Sequence, residues 1–185
     1  MTKSKHSNFK DPKVLVLLSL FAALSILFGK YLAIPGGDVL RFSFENLPIL
    51  LAALHFGPIA GMLVGIVADL LGCLMVGYTI NPMVTLGAAM IGLVGGLAPY
   101  YIPKRLPRIV RIVFAVSPAH LVGSVFVKTI GLAAYYTMPL FVLMLWRLLN
   151  YVIIAALEST LLYLLCKNPA IAKQMRAFNK NSFLL

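Results

Sequence analysis

LRFSFENLPILLAALHFGPIAGMLVGIVADLLG, residues 40–72, decides the architecture. It reads as two apolar helical arms turned at Gly57-Pro58, a pair that ends one helix and opens the next. The first arm opens with Arg41, Glu45 and Asn46. The second carries Gly61, Gly65, Asp69 and Gly72, three and four residues apart and therefore on one helical face. Small residues at that spacing let helix backbones approach closely inside a bilayer. A carboxylate in the same seam is costly unless it is paired or used, which marks Asp69.

The rest of the chain extends this pattern. Of 185 residues, 61% are hydrophobic and 11% charged, and the mean hydropathy is +0.96. A soluble domain of this length carries about a quarter charged residues. The expectation is an all-α membrane protein, one domain over 1–185. Six transmembrane helices are predicted at about 12–34, 44–56, 58–76, 82–101, 108–133 and 138–166, followed by a cytoplasmic tail, 167–185. The second is short for a full span, so it must tilt, thin the bilayer locally or pack behind others. A signal peptide is the other reading of the lysine-rich N-terminus. The apolar run that follows reaches about Ile34 without a small-x-small cleavage site and more spans follow, so it is read as the first span.

Charge sets the orientation. Lys3, Lys5, Lys10 and Lys13, then Lys104, Arg105, Arg108 and Arg111, then Lys167, Lys173, Arg176 and Lys180 occupy three segments that six spans place on one side. Positive-inside logic puts both termini in the cytoplasm. The same ledger accounts for the net charge of +11 without nucleic acid. Four cations remain, Lys30, Arg41, Lys128 and Arg147, each expected near the outer end of a helix. Snorkelling to the interface explains any one of them. Together, against Asp38 and Glu45, they suggest a site for an anionic solute, in which Arg41 and Arg147 can grip a carboxylate bidentately.

Arg147, Asn150, Tyr151, Ile154 and Glu158 share one face of the last helix, with Glu158 roughly 16 Å below Arg147. Glu158 has two readings, a structural acid paired across helices through His120 or a hydroxyl, or a group facing a bound heterocycle. Asp69 has the same two. Phe42, Phe44, Tyr78, Tyr135, Tyr136 and Trp146 gather near the outer loops, as an interfacial belt or as walls for a flat ligand. Pro35-Gly36-Gly37, Gly77 and Asn81-Pro82 shape those loops. Cys73 and Cys166 lack metal-ligand spacing and read as inert core residues. No serine–histidine–acid constellation, phosphate loop, zinc motif or redox pair is recognisable, so neither catalytic nor metal-binding residues are assigned and no cofactor is expected.

Residues 40–72, followed by GYTINPMVTLGAAMIGLVGGLAPYYIPKR (77–105), resemble the folate-specific S components of energy-coupling factor (ECF) transporters. FGPIAGMLVGIVADLLG carries the superfamily likeness and GYTINPMVTLGAAMIGL the folate likeness. The resemblance implies a substrate-binding subunit in the plasma membrane of a prokaryote, not an enzyme. It would capture a reduced folate outside and reorient to release it inside, together with a transmembrane T component and two cytoplasmic ATPases. Small residues four apart on the first helix would dock the T component. Here the nearest match is Ser19-xxx-Ala23, with Ala22 beside it. Folate chemistry then nominates Arg41, Phe42, Phe44, Glu45, Asp69, Tyr78, Asn81, Lys128, Arg147, Asn150, Tyr151 and Glu158 as substrate-binding. Competing readings are an S component for riboflavin or pantothenate, an intramembrane enzyme using His120, Asp69 and Glu158, and a structural subunit.

Overall fold

Asp11 accepts a hydrogen bond from the Lys13 amide and Pro12 follows, a capped start that opens α1 (Pro12–Ile26). The structure, a computed structural model, describes residues 11–35, 41–137, 139–179 and 182–184. The N-terminal lysines 3, 5 and 10, together with Gly36, Gly37, Asp38 and Lys180, lie outside the described residues. So do the side chains of Arg41 and Tyr136. Among the described residues every element is helical except one two-residue antiparallel pairing, β1 (Ile34–Pro35) with β2 (Arg41–Phe42).

α1 continues through a π-helical turn, Leu27–Tyr31, and stops there rather than at Ile34. The reason is local. Ile34 precedes Pro35, a position driven away from helical backbone, and it pairs with Phe42 instead. α2 (Asn46–Phe56) also starts later than expected. A helix from Phe44 would place Pro48 where its ring meets a carbonyl one turn back, whereas a start at Asn46 leaves Pro48 in the first turn. Gly57, at φ 102°, turns the chain into α3 (Pro58–Val76), which ends at left-handed Gly77. α4 spans Pro82–Tyr101.

The predicted fifth helix is a composite. α5 (Arg108–Ala119) passes into a π-helical stretch, His120–Val127, and then α6 (Lys128–Tyr136), ended by left-handed Thr137. α7 runs Leu140–Lys167. Beyond it the tail forms a further helix, α8 (Pro169–Phe178), capped by Asn168, and residues 182–184 fold back into the core. Five helices, Pro12–Tyr31, α3, α4, Arg108–Tyr135 and α7, are long and apolar enough to cross a membrane, and α2 is a shorter apolar helix.

The tightest junction is backbone on backbone. A Cβ on Gly92 of α4 would collide with the Gly61 carbonyl of α3, and one on Gly65 with the Ala88 carbonyl. Close approach of this kind replaces the hydrophobic drive that lipid does not supply. Around the seam, Leu50, Ala60, Val64, Ile91 and Ile112 form the apolar centre.

Candidate functional site

α1, α3 and α6 finish, and α2, α4 and α7 begin, at the same end of the bundle. Most of the buried charge collects there. Lys128 donates to Glu45 Oε1 at 2.7 Å. Glu45 sits against Gly29 of the π-helical turn, where any Cβ would strike its carboxylate, and its carbonyl accepts from Ser25 Oγ at 2.6 Å. Glu45 precedes α2 and lies outside the five long apolar helices. The Lys128 ammonium, aided by Lys30 and Arg147, holds its carboxyl well below the usual range, at about 2.

Lys30 also lacks an acid partner among the described residues. Its Nζ lies 3.6 Å from Cys73 Sγ and 5.6 Å from the Tyr78 ring centroid, and no carboxylate stands within 4.0 Å of it among the described residues. Snorkelling is a sufficient reading of Lys30 from sequence, and the nominated binding set omits it. The packing of its stem on Gly72 is what places it beside Glu45.

Below this group lies a second cluster. His120 Nε2 meets Glu158 Oε2 at 2.7 Å, and His120 Nδ1 meets Ser124 Oγ at 3.2 Å. The His120 ring stacks on Tyr151, with centroids 5.2 Å apart. Arg147 donates through Nε and Nη2 to the Ser124 carbonyl at 3.3 and 3.0 Å, and its guanidinium lies 5.2 Å from the Tyr151 ring centroid. The wide π-helical turn opens that carbonyl to side-chain donors, since Thr129 Oγ1 reaches it as well. The expected shared face of Arg147, Asn150, Tyr151, Ile154 and Glu158 is wholly buried.

One expectation needs correction, and three nominated residues are found in structural contacts. A serine–histidine–acid chain does exist, Ser124–His120–Glu158, which sequence spacing concealed because its members come from two helices. At 0%, 2% and 0% exposure it is closed to water and substrate, so it acts as packing. For Glu158 the His120 contact supports the structural one of its two readings. Asn81, nominated for substrate, spends its amide oxygen capping α4 at Met83 N and its amide nitrogen on the Gly131 carbonyl. Asp69 accepts from Thr85 Oγ1 at 2.6 Å, again a structural contact.

On α1, Ser19 and Ala23 face outward, but Ala22 is turned into the core and has no docking surface to offer. Phe42, Phe44, Tyr78, Tyr135 and Trp146 are all more than a third exposed. Two residues were undervalued. Asn46 is 1% exposed, and neither its amide oxygen nor its nitrogen has a partner among the described residues. His120, left out of the nominated set, organises the second cluster. Among the described residues no group of three metal-ligating side chains occurs.

The model of the family described as ECF transporter, substrate-specific component, matches residues 13–168. A search of curated protein sequences gives no match. Among solved structures, the fold is similar to "Crystal structure of FolT bound with folic acid" at 24% identity and TM-score 0.66, over 81% of this chain and 90% of that one. It is similar to "Structure and mechanism of the S component of a bacterial ECF transporter" at 22% identity and TM-score 0.58, over 80% and 92%. A biotin S component is similar at 18% and 0.56, over 87% and 94%. These identities speak for the fold alone.

Proposed function

This chain belongs to the substrate-specific components of ECF transporters, membrane proteins that bind a transported ligand, and from that premise we propose that its ligand is a folate. One observation carries the reading. Lys30, Lys128 and Arg147 converge around a single carboxylate, Glu45, leaving a surplus of positive charge at one end of the bundle. A folate's glutamate tail brings carboxylates to that surplus, and Lys30, with no acid partner among the described residues, is placed to receive one. The pteridine is flat, and the exposed rings of Phe42, Phe44 and Tyr78 offer aromatic walls beside the cations. Asn46 supplies a buried donor and acceptor with no other occupation among the described residues. The likeness to a folate-bound fold supports the same ligand.

Of the residues nominated from sequence, Arg41, Phe42, Phe44, Glu45, Tyr78, Lys128, Arg147, Asn150 and Tyr151 stay in the proposed set. Lys30 and Asn46 join them. The family reading adds a T component met by the Ser19 and Ala23 face of α1, two partner ATPases, and residence in a prokaryotic plasma membrane.

The test is calorimetry on the detergent-purified chain without ATP. It compares folic acid, 5-formyltetrahydrofolate, pteroic acid, riboflavin, pantothenate and biotin. The expected result is selective folate binding. Pteroic acid, which lacks the glutamate, should bind roughly tenfold or more weakly, the value of a charge-assisted contact. Preference for any other vitamin would overturn the folate assignment.

A further inference from the structure

At the opposite end of the bundle from Glu45, the start of α5, the end of α7 and α8 line an open hollow of about 390 Å³. Arg108, Lys167, Lys173 and Arg176 line it, with Cys166 and Ala172 between them and no carboxylate in the wall. The described acids, Asp11, Glu45, Asp69 and Glu158, all belong elsewhere. Orientation by positive charge explains why basic residues populate these segments. It does not explain why four of them, from three separate elements, face one hollow. Like charges brought together repel, and the arrangement is favourable once an anion fills it.

Two features build the hollow. Arg108 Nη1 donates to the Cys166 carbonyl at 3.2 Å, which ties α5 to the end of α7. Asn168 caps α8 through the Ala170 amide, so the chain turns sharply and brings Lys173 and Arg176 back over the same opening. The cap also occupies the helix start, leaving the side-chain cations to do the binding.

We propose that this cavity binds the phosphate group of an anionic phospholipid. The exposed Arg176 guanidinium can take phosphate oxygens bidentately, and Arg108, Lys167 and Lys173 add positive charge around it. A lipid is favoured over a free phosphate by position. The cavity opens at the end of α7, a 28-residue apolar helix, where hydrocarbon gives way to headgroups. Beside it Met175 of α8 packs on the core while Lys173 and Arg176 stay exposed, so α8 lies along that boundary.

The experiment is native mass spectrometry of the full chain, titrated with phosphatidylglycerol or phosphatidylcholine, with and without millimolar inorganic phosphate. Two double variants are compared, K173Q/R176Q in the cavity and K104Q/R105Q outside its lining. Thermal unfolding verifies that both are folded. The expected result is one phosphatidylglycerol retained by the wild type and by K104Q/R105Q, weakened roughly thirtyfold in K173Q/R176Q. Phosphatidylcholine should not be retained, nor should phosphate displace the lipid. Equal weakening in both variants would reduce the effect to general surface charge and overturn the site. Displacement by phosphate would overturn the lipid as its occupant, and full retention by folded K173Q/R176Q would overturn both.

Discussion

Replacing His120 by leucine should do far more damage than replacing both members of its pair. Glu158 is 0% exposed, Oε2 rests on His120 at 2.7 Å, and Oε1 has no partner among the described residues. His120→Leu therefore strands a carboxylate with neither water nor counter-ion, a loss of about 3–5 kcal/mol. Glu158→Leu is milder, about 1–3 kcal/mol, because a neutral imidazole keeps Ser124 as a partner. The double variant replaces a buried polar pair by apolar volume and should cost about 1 kcal/mol or less. The cycle then carries a coupling of about 3 kcal/mol or more. Detergent unfolding curves for the four proteins measure it, and calorimetry with folic acid accompanies them. The structural reading requires the folded double variant to bind within about twofold of wild type. Additive losses, or folate affinity that falls with the double replacement, would refute it.

Three further outcomes follow from the geometry. Lys30→Met should weaken folic acid roughly tenfold or more while leaving pteroic acid nearly unchanged, as read by calorimetry; equal losses for both would remove Lys30 from the glutamate end. Asn81→Ala should cost about 1 kcal/mol of stability in an unfolding assay, with unaltered ligand affinity, since both amide groups serve the α4 start and Gly131. Gly92→Ala should destabilise by about 1–3 kcal/mol or more because its methyl group meets the Gly61 carbonyl; wild-type stability would mean that the two helices can part without cost.

Fold class and helix-level punctuation were legible because they are local. Asp11-Pro12, Gly57-Pro58 and Asn81-Pro82 announce helix starts by backbone chemistry alone, and Gly61 with Gly65 announces a close helix contact. The candidate site was legible as composition and obscure as geometry. Lys30, Arg147 and Glu45 could be named as unexplained charges, but which cation meets which acid depends on helix rotation. His120 and Glu158 are 38 residues apart, and only the packed bundle joins them. The π-helical stretches were also hidden, since no apolar period distinguishes a five-residue turn from an ordinary one. α8 had a readable start in Asn168-Pro169 and a short apolar stripe, Ile171, Met175 and Phe178, but so few apolar residues among the cations of the last segment read as a tail.

The grip of α1 on Glu45 has a mechanical consequence for the proposed receptor. Ser25 holds the Glu45 carbonyl, and Gly29 makes room for its carboxylate. Two and six residues before Ser25 on the same helix, Ala23 and Ser19 look outward. An incoming anion that competes for Lys128 must loosen Glu45, and that loosening acts directly on α1. Under the proposed function, the helix that would meet the T component is the same one that grips Glu45, while α3 and α4 are locked to each other through their glycines.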